Sequence, residues 1–196
     1  MSDVDGKNIL QGLRQTREFL KQVSLLMQSA EEIVSNKGWR EIAGSRQSSN
    51  ITSDLYDPDR WMPRDVYRLY VSAEADAPER DIIIYLAVHL DQNGAWGGFK
   101  EPWVTCGLCQ FLPGKRPDKV RPIEYVKAHL ENKQEPNGEF RLYDHQETKS
   151  DWYTSIGLCR EKSMALPLVE VRSAADLSAK VVNPLLQKVE ELLKAE

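Results

Sequence analysis

The sequence predicts an α+β fold. It reads as one domain over residues 1–196, with a largely antiparallel five- to six-stranded sheet packed against long N-terminal and C-terminal helices. Three observations carry this. Apolar residues recur at helical spacing near both termini, β-branched and alternating runs fill the centre, and Asn-Gly pairs stand beside those runs. Helices flanking a block of strands, without repeated strand–helix alternation, describe helices on an antiparallel sheet rather than a doubly wound fold.

The N-terminal helix is expected over residues 9–35. Ile9, Leu13, Leu20, Val23, Met27, Ala30 and Val34 fall three, four or seven apart and line one helical face. Leu10, Phe19, Leu26 and Ile33 widen that stripe. Gly38 is placed to end the helix, because glycine enters the left-handed region without a Cβ penalty. The same stripe suits pairing with a second copy in a dimer. Residues 44–50 read as a polar loop, and residues 57–63 as turns anchored by Trp61.

The sheet region spans residues 66–171. Its strands are expected at Val66 to Ser72, Asp81 to Leu90, Trp103 to Leu112, Glu139 to Tyr143, Trp152 to Cys159 and Met164 to Val171. The run Asp81-Ile82-Ile83-Ile84-Tyr85-Leu86-Ala87-Val88-His89-Leu90 is rich in β-branched residues. Ile82, Ile84, Leu86, Val88 and Leu90 share one face. Ile83, Tyr85, Ala87, His89 and Asp91 share the other, which turns polar and so is expected to be only partly covered. Asn93-Gly94 and Asn137-Gly138 mark turns, Pro122 a short helix over 123–130, and Pro167 an edge or a bulge. The C-terminal helix, residues 174–195, begins at the capping box Ser173-Ala174-Ala175-Asp176, with a kink or fresh start at Pro184.

Composition narrows the function classes. Lys and Arg number 26 against 30 Asp and Glu, for a net charge of −4. No basic stripe of the kind nucleic-acid binders carry is apparent, and no apolar run is long enough for a membrane span. Three cysteines, an odd count in a chain of this size, are expected as reduced thiols in a cytoplasmic protein. Cys106 and Cys109 form a Cys-x-x-Cys pair, but inside a strand they point to opposite faces, which opposes disulfide closure. No metalloprotease, phosphate-loop or nucleophile-elbow motif is present, so no cofactor is implied.

Two constellations remain. His89 and Asp91 share a strand face, where a carboxylate orients an imidazole, with Tyr85 lining the same face; these are the candidate catalytic residues. Trp96, Phe99 and Trp103 lie in or beside a glycine-rich loop and are the candidate partner-binding residues, since aromatics bury much area at low entropic cost. The leading expectation is a non-catalytic cytoplasmic protein that recognises a protein partner, or itself, through a sheet face and this loop. The alternative is a small hydrolase acting on a polar or nucleotide-like ligand through the His/Asp pair.

Overall fold

The computed structural model describes residues 6–42, 47–49, 65–74, 81–90, 101–116, 137–144 and 157–194. The helix α1 runs Gly6–Ser35. It ends in a turn where Gly38 takes φ 84°, as the sequence requires, and the Gly38 carbonyl accepts from the Ala73 amide at 2.8 Å.

Seven strands follow among the described residues: β1 Trp39–Glu41, β2 Gln47–Ser49, β3 Asp65–Ser72, β4 Ile82–His89, β5 Trp103–Phe111, β6 Arg141–Asp144 and β7 Leu158–Pro167. All pairings among them are antiparallel. The order across the sheet is β1-β3-β4-β5-β7-β6, and β2 also pairs with β3. Thus β1 and β2 share one edge, each covering a different half of β3, and seven strands occupy six lanes. Neither three-residue strand was expected, because a run that short carries no measurable periodicity.

The break expected between Cys159 and Met164 is corrected: Leu158–Pro167 is one strand, β7, and the strand expected to reach Val171 stops at Pro167. The charged stretch between Cys159 and Met164 does not turn. Arg160 and Lys162 are part-exposed on one face, while Glu161 and Ser163 are buried on the other. Pro167 ends β7 and leads into the 3-10 turn Leu168–Glu170. Only residues 158 onward of the first expected strand are described within β7, and the helix expected over 123–130 lies outside the described residues, as do Asn93-Gly94 and residues 57–63.

The C-terminal helix has three contiguous parts: α2 Ala174–Leu177, a π segment Ser178–Val182, and α3 Asn183–Lys194. Ser173 caps it, accepting from the Asp176 amide at 3.1 Å while its hydroxyl donates to the Asp176 carboxylate at 3.0 Å. Pro184 has no N–H to offer the carbonyl four residues back. The wider π turn immediately before it accommodates that loss, with the Asn183 amide reaching back to the Ser178 carbonyl.

Both helices pack on one face of the sheet. Val23, Met27, Ala30 and Val34 of α1 and Leu177, Val181, Leu185 and Val189 of the C-terminal helix join Ile84, Leu86, Val104, Cys106 and Leu108 in one core cluster. The opposite face carries a second cluster around Leu69, Ile83, Tyr85, Ala87 and Cys109. The expectation that this face is only partly covered is overturned: every residue of β4 is buried. No helix among the described residues is long and apolar enough to cross a membrane.

Candidate functional site

Antiparallel register brings residues from distant parts of the chain into rows across the second face. One row is Asp65, His89, Trp103 and Pro167, from β3, β4, β5 and β7 in turn. The next holds Tyr67, Ala87, Thr105 and Ala165, and the one beyond holds Leu69, Tyr85, Gly107, Ser163 and Arg141. Val71, Ile83, Cys109, Glu161 and Tyr143 form the last.

Two polar groups sit on this face. In the first, His89 Nδ1 lies 2.6 Å from Asp65 Oδ1, and Nε2 lies 2.8 Å from Thr105 Oγ1. With the proton on Nδ1, the imidazole donates to the carboxylate and accepts from the hydroxyl, so both ring nitrogens are satisfied. His89 is 1% exposed and Thr105 wholly buried. The order carboxylate, imidazole, hydroxyl is that of a hydrolytic triad. Here, however, the hydroxyl lies within a central strand with no surface of its own.

In the second, the Tyr85 hydroxyl donates to Glu161 Oε1 at 2.9 Å. Tyr85 leaves β4 and Glu161 leaves β7, with β5 between them. The ring crosses β5 above Gly107, where a Cβ would stand 2.6 Å from Cε1, Cζ and the hydroxyl oxygen. Gly107 is therefore required by the ring that crosses it. Burial, and next the Glu161 carboxylate, push the Tyr85 phenol well above its ordinary range. Burial likewise raises Cys109, with Glu161 adding to it, and raises Cys106 by desolvation alone. These thiols are held protonated, the reverse of what redox or nucleophilic chemistry needs.

The cysteines of the Cys-x-x-Cys pair do face opposite ways. Cys106 lies in the cluster beneath the helices, its thiol 3.8 Å from the Val181 carbonyl, and Cys109 lies in the opposite cluster. All three cysteines are buried thiols outside any disulfide. Among the described residues, no group of three or more His, Cys, Asp and Glu side chains is placed to hold a metal.

Of the residues singled out by sequence, His89 and Tyr85 are buried on the same face, two rows apart, and bonded to different carboxylates. Asp91, Trp96 and Phe99 lie outside the described residues. Trp103 is buried in β5, between His89 and Pro167 in register. Asp65, Thr105, Gly107 and Glu161 were missed.

The surface feature of note is elsewhere. From Lys7 to Phe19, α1 is exposed apart from the partly covered Thr16. Ile9, Leu10 and Leu13 are 50%, 56% and 63% exposed. Where this arm meets the body, a groove of about 330 Å³ opens between α1 and the segment leading into α2, lined by Phe19, Val23, Leu26, Leu168 and Val171. Comparison with known proteins gives no matching family, no similar curated protein and no similar solved structure.

Proposed function

We propose that this chain is a non-catalytic binding protein that recognises a protein partner. The observation that carries the reading is the apolar stripe of α1, which continues into solvent beyond the body of the fold and runs up to a groove where Phe19, Val23 and Leu26 stand beside Gln22, Arg172 and Ser173. Contiguous exposed apolar surface of this kind is characteristic of docking sites. Both faces of β4 and nearly all of β5 are buried, which favours α1 over the centre of the sheet as the contact surface. The test is retention of a binding partner from a native extract by the intact chain and by Leu13→Glu. Equal recovery of the same proteins by both would refute the reading.

A second reading, a small hydrolase acting on a polar or nucleotide-like ligand, is favoured by one observation: the hydrogen-bond chain Asp65–His89–Thr105. It requires that a ligand reach Thr105 or His89, both of them buried. A panel of ester and phosphoester substrates offered to the wild type and to His89→Gln separates the two readings. Hydrolysis lost in a folded His89→Gln protein would put this one first.

A further inference from the structure

From the seam of α1 we infer that the partner of the exposed arm is a second copy of this chain, paired antiparallel with the first through residues 9–20. This rests on the binding reading above and names its partner. Positions 9, 13, 16, 20, 23, 27, 30 and 34 alternate by four and three along α1, the spacing of a coiled-coil seam. The second half, Val23, Met27, Ala30 and Val34, is buried against the body. The first half, Ile9, Leu13, Thr16 and Leu20, continues the same line beyond it. The pattern does not stop where the body stops.

The body also sets the orientation. A parallel second helix would run on past Leu20 into the side of α1 where Val23 and Met27 meet the sheet and the C-terminal helix, and that space is filled. An antiparallel helix ends there instead. Its first turn reaches the mouth of the groove at Phe19 and Val23. In this arrangement Ile9 faces Leu20 of the second copy and Leu13 faces Thr16, whose hydroxyl can return to a carbonyl of its own helix. On one flank Phe19 meets Gly12 of the other copy, a position with open space around it.

Along this seam Lys7, Arg14, Glu18 and Lys21 fall on the outer side of the helix and Arg17 on its flank, clear of the apolar contact. Area agrees. The exposed parts of Ile9, Leu10, Leu13 and Phe19, with the partly covered Thr16 and Leu20, amount to roughly 400 Å² of apolar surface. At the ~60% apolar share of an interface this implies roughly 650 Å² per copy. That lies near the lower end of specific interfaces, which start at about 600 Å² per partner.

The test is sedimentation velocity of the full chain across a concentration series, beside Leu13→Glu and the neutral control Gln11→Glu on the outer face. The expected result is a monomer–dimer equilibrium in the wild type and the control, weakened at least about tenfold in Leu13→Glu. Asn8→Cys carrying a spin label fixes the orientation, since the native thiols are buried. Antiparallel pairing places the two labels about 20 Å apart along the axis, at 1.5 Å per residue, and parallel pairing places them side by side. A strict monomer at high micromolar concentration, a dimer untouched by Leu13→Glu, or labels side by side would each overturn the inference. So would arm-dependent flotation of a monomer with phosphatidylserine vesicles. A monomer that still loses a foreign partner on Leu13→Glu would overturn self-pairing while leaving the binding reading intact.

Discussion

Replacing Gly107 by alanine tests the crossing of β5 by Tyr85. The added methyl would stand 2.6 Å from three atoms of the Tyr85 side chain, inside the closest approach real Cβ atoms show. The ring has nowhere to retreat, because Tyr85 and its neighbours Ile83, Ala87 and Cys109 are all buried. Overpacking of this kind costs about 1–3 kcal/mol. If the ring moves off β5 it also gives up the 2.9 Å bond to Glu161, and losing a donor to a buried carboxylate costs about 1.5–3 kcal/mol. Together these set the expected loss at about 2.5–6 kcal/mol, a large share of the ~5–15 kcal/mol total for a domain.

Urea unfolding followed by far-UV circular dichroism measures it. The decisive comparison is the same substitution made in a Tyr85→Leu background. With the ring gone, alanine is better than glycine within a strand by roughly 0.5–1 kcal/mol, so the sign should reverse. A loss under about 1 kcal/mol for Gly107→Ala alone, or the same loss in both backgrounds, would refute the reasoning.

Other outcomes follow from the same geometry. Asp65→Ala strips His89 Nδ1 of its acceptor and is expected to cost about 1–3 kcal/mol by the same assay, with Asp65→Asn milder because it keeps an acceptor oxygen. Stability should fall at alkaline pH. Cys106, Cys109 and Tyr85 are all raised above their ordinary values of 9.0, 9.0 and 10.0, so the folded chain keeps protons that the unfolded chain has released. Their contribution is complete below pH 9 and is lost as pH rises through the folded values, at up to about 1.4 kcal/mol per pH unit per group. Urea midpoints measured upward from pH 8 check this, and Cys109→Ala should flatten the first part of the decline. Within α1, Met27→Ala should cost about 2–5 kcal/mol and Ile9→Ala under about 0.5 kcal/mol when measured at a dilution that keeps the chain monomeric.

How far the sequence could be read depended on whether the determining signal was local. The stripe of α1, the Ser173 cap, the Gly38 turn and the two-faced alternation of β4 are written within a few residues of one another, and each was legible. What escaped was set by pairing between distant segments. Asp91 is two residues from His89 and was the carboxylate that sequence could offer. The carboxylate bonded to His89 is Asp65, 24 residues away, delivered by the β3–β4 register. Glu161 sits in a run of charge that reads as a turn until Tyr85 is known to reach it across a glycine. The glycine is visible in the sequence, but its reason lies on a neighbouring strand.

Register also gives the buried polar side chains of this sheet a structural role. The strands β3, β4 and β5 carry buried apolar residues on both faces, so a slip of two residues between neighbours would keep every side chain on its own face. Hydrophobic burial alone therefore discriminates poorly between registers. A two-residue slip of β4 against β3 would set His89 opposite Tyr67 and take Asp65 away from it. Buried polar groups deprived of partners cost about 1–3 kcal/mol each, enough to favour the native pairing by two or three orders of magnitude. The expected consequence is testable in a triple replacement, Asp65→Leu, His89→Phe and Thr105→Val. Stability to urea should be roughly retained, because an apolar trio of similar volume offsets the lost bonds, while amide exchange in β3 and β4 should quicken as alternative registers become accessible. Exchange as slow as in the wild type, at equal global stability, would show that the trio does not hold the register.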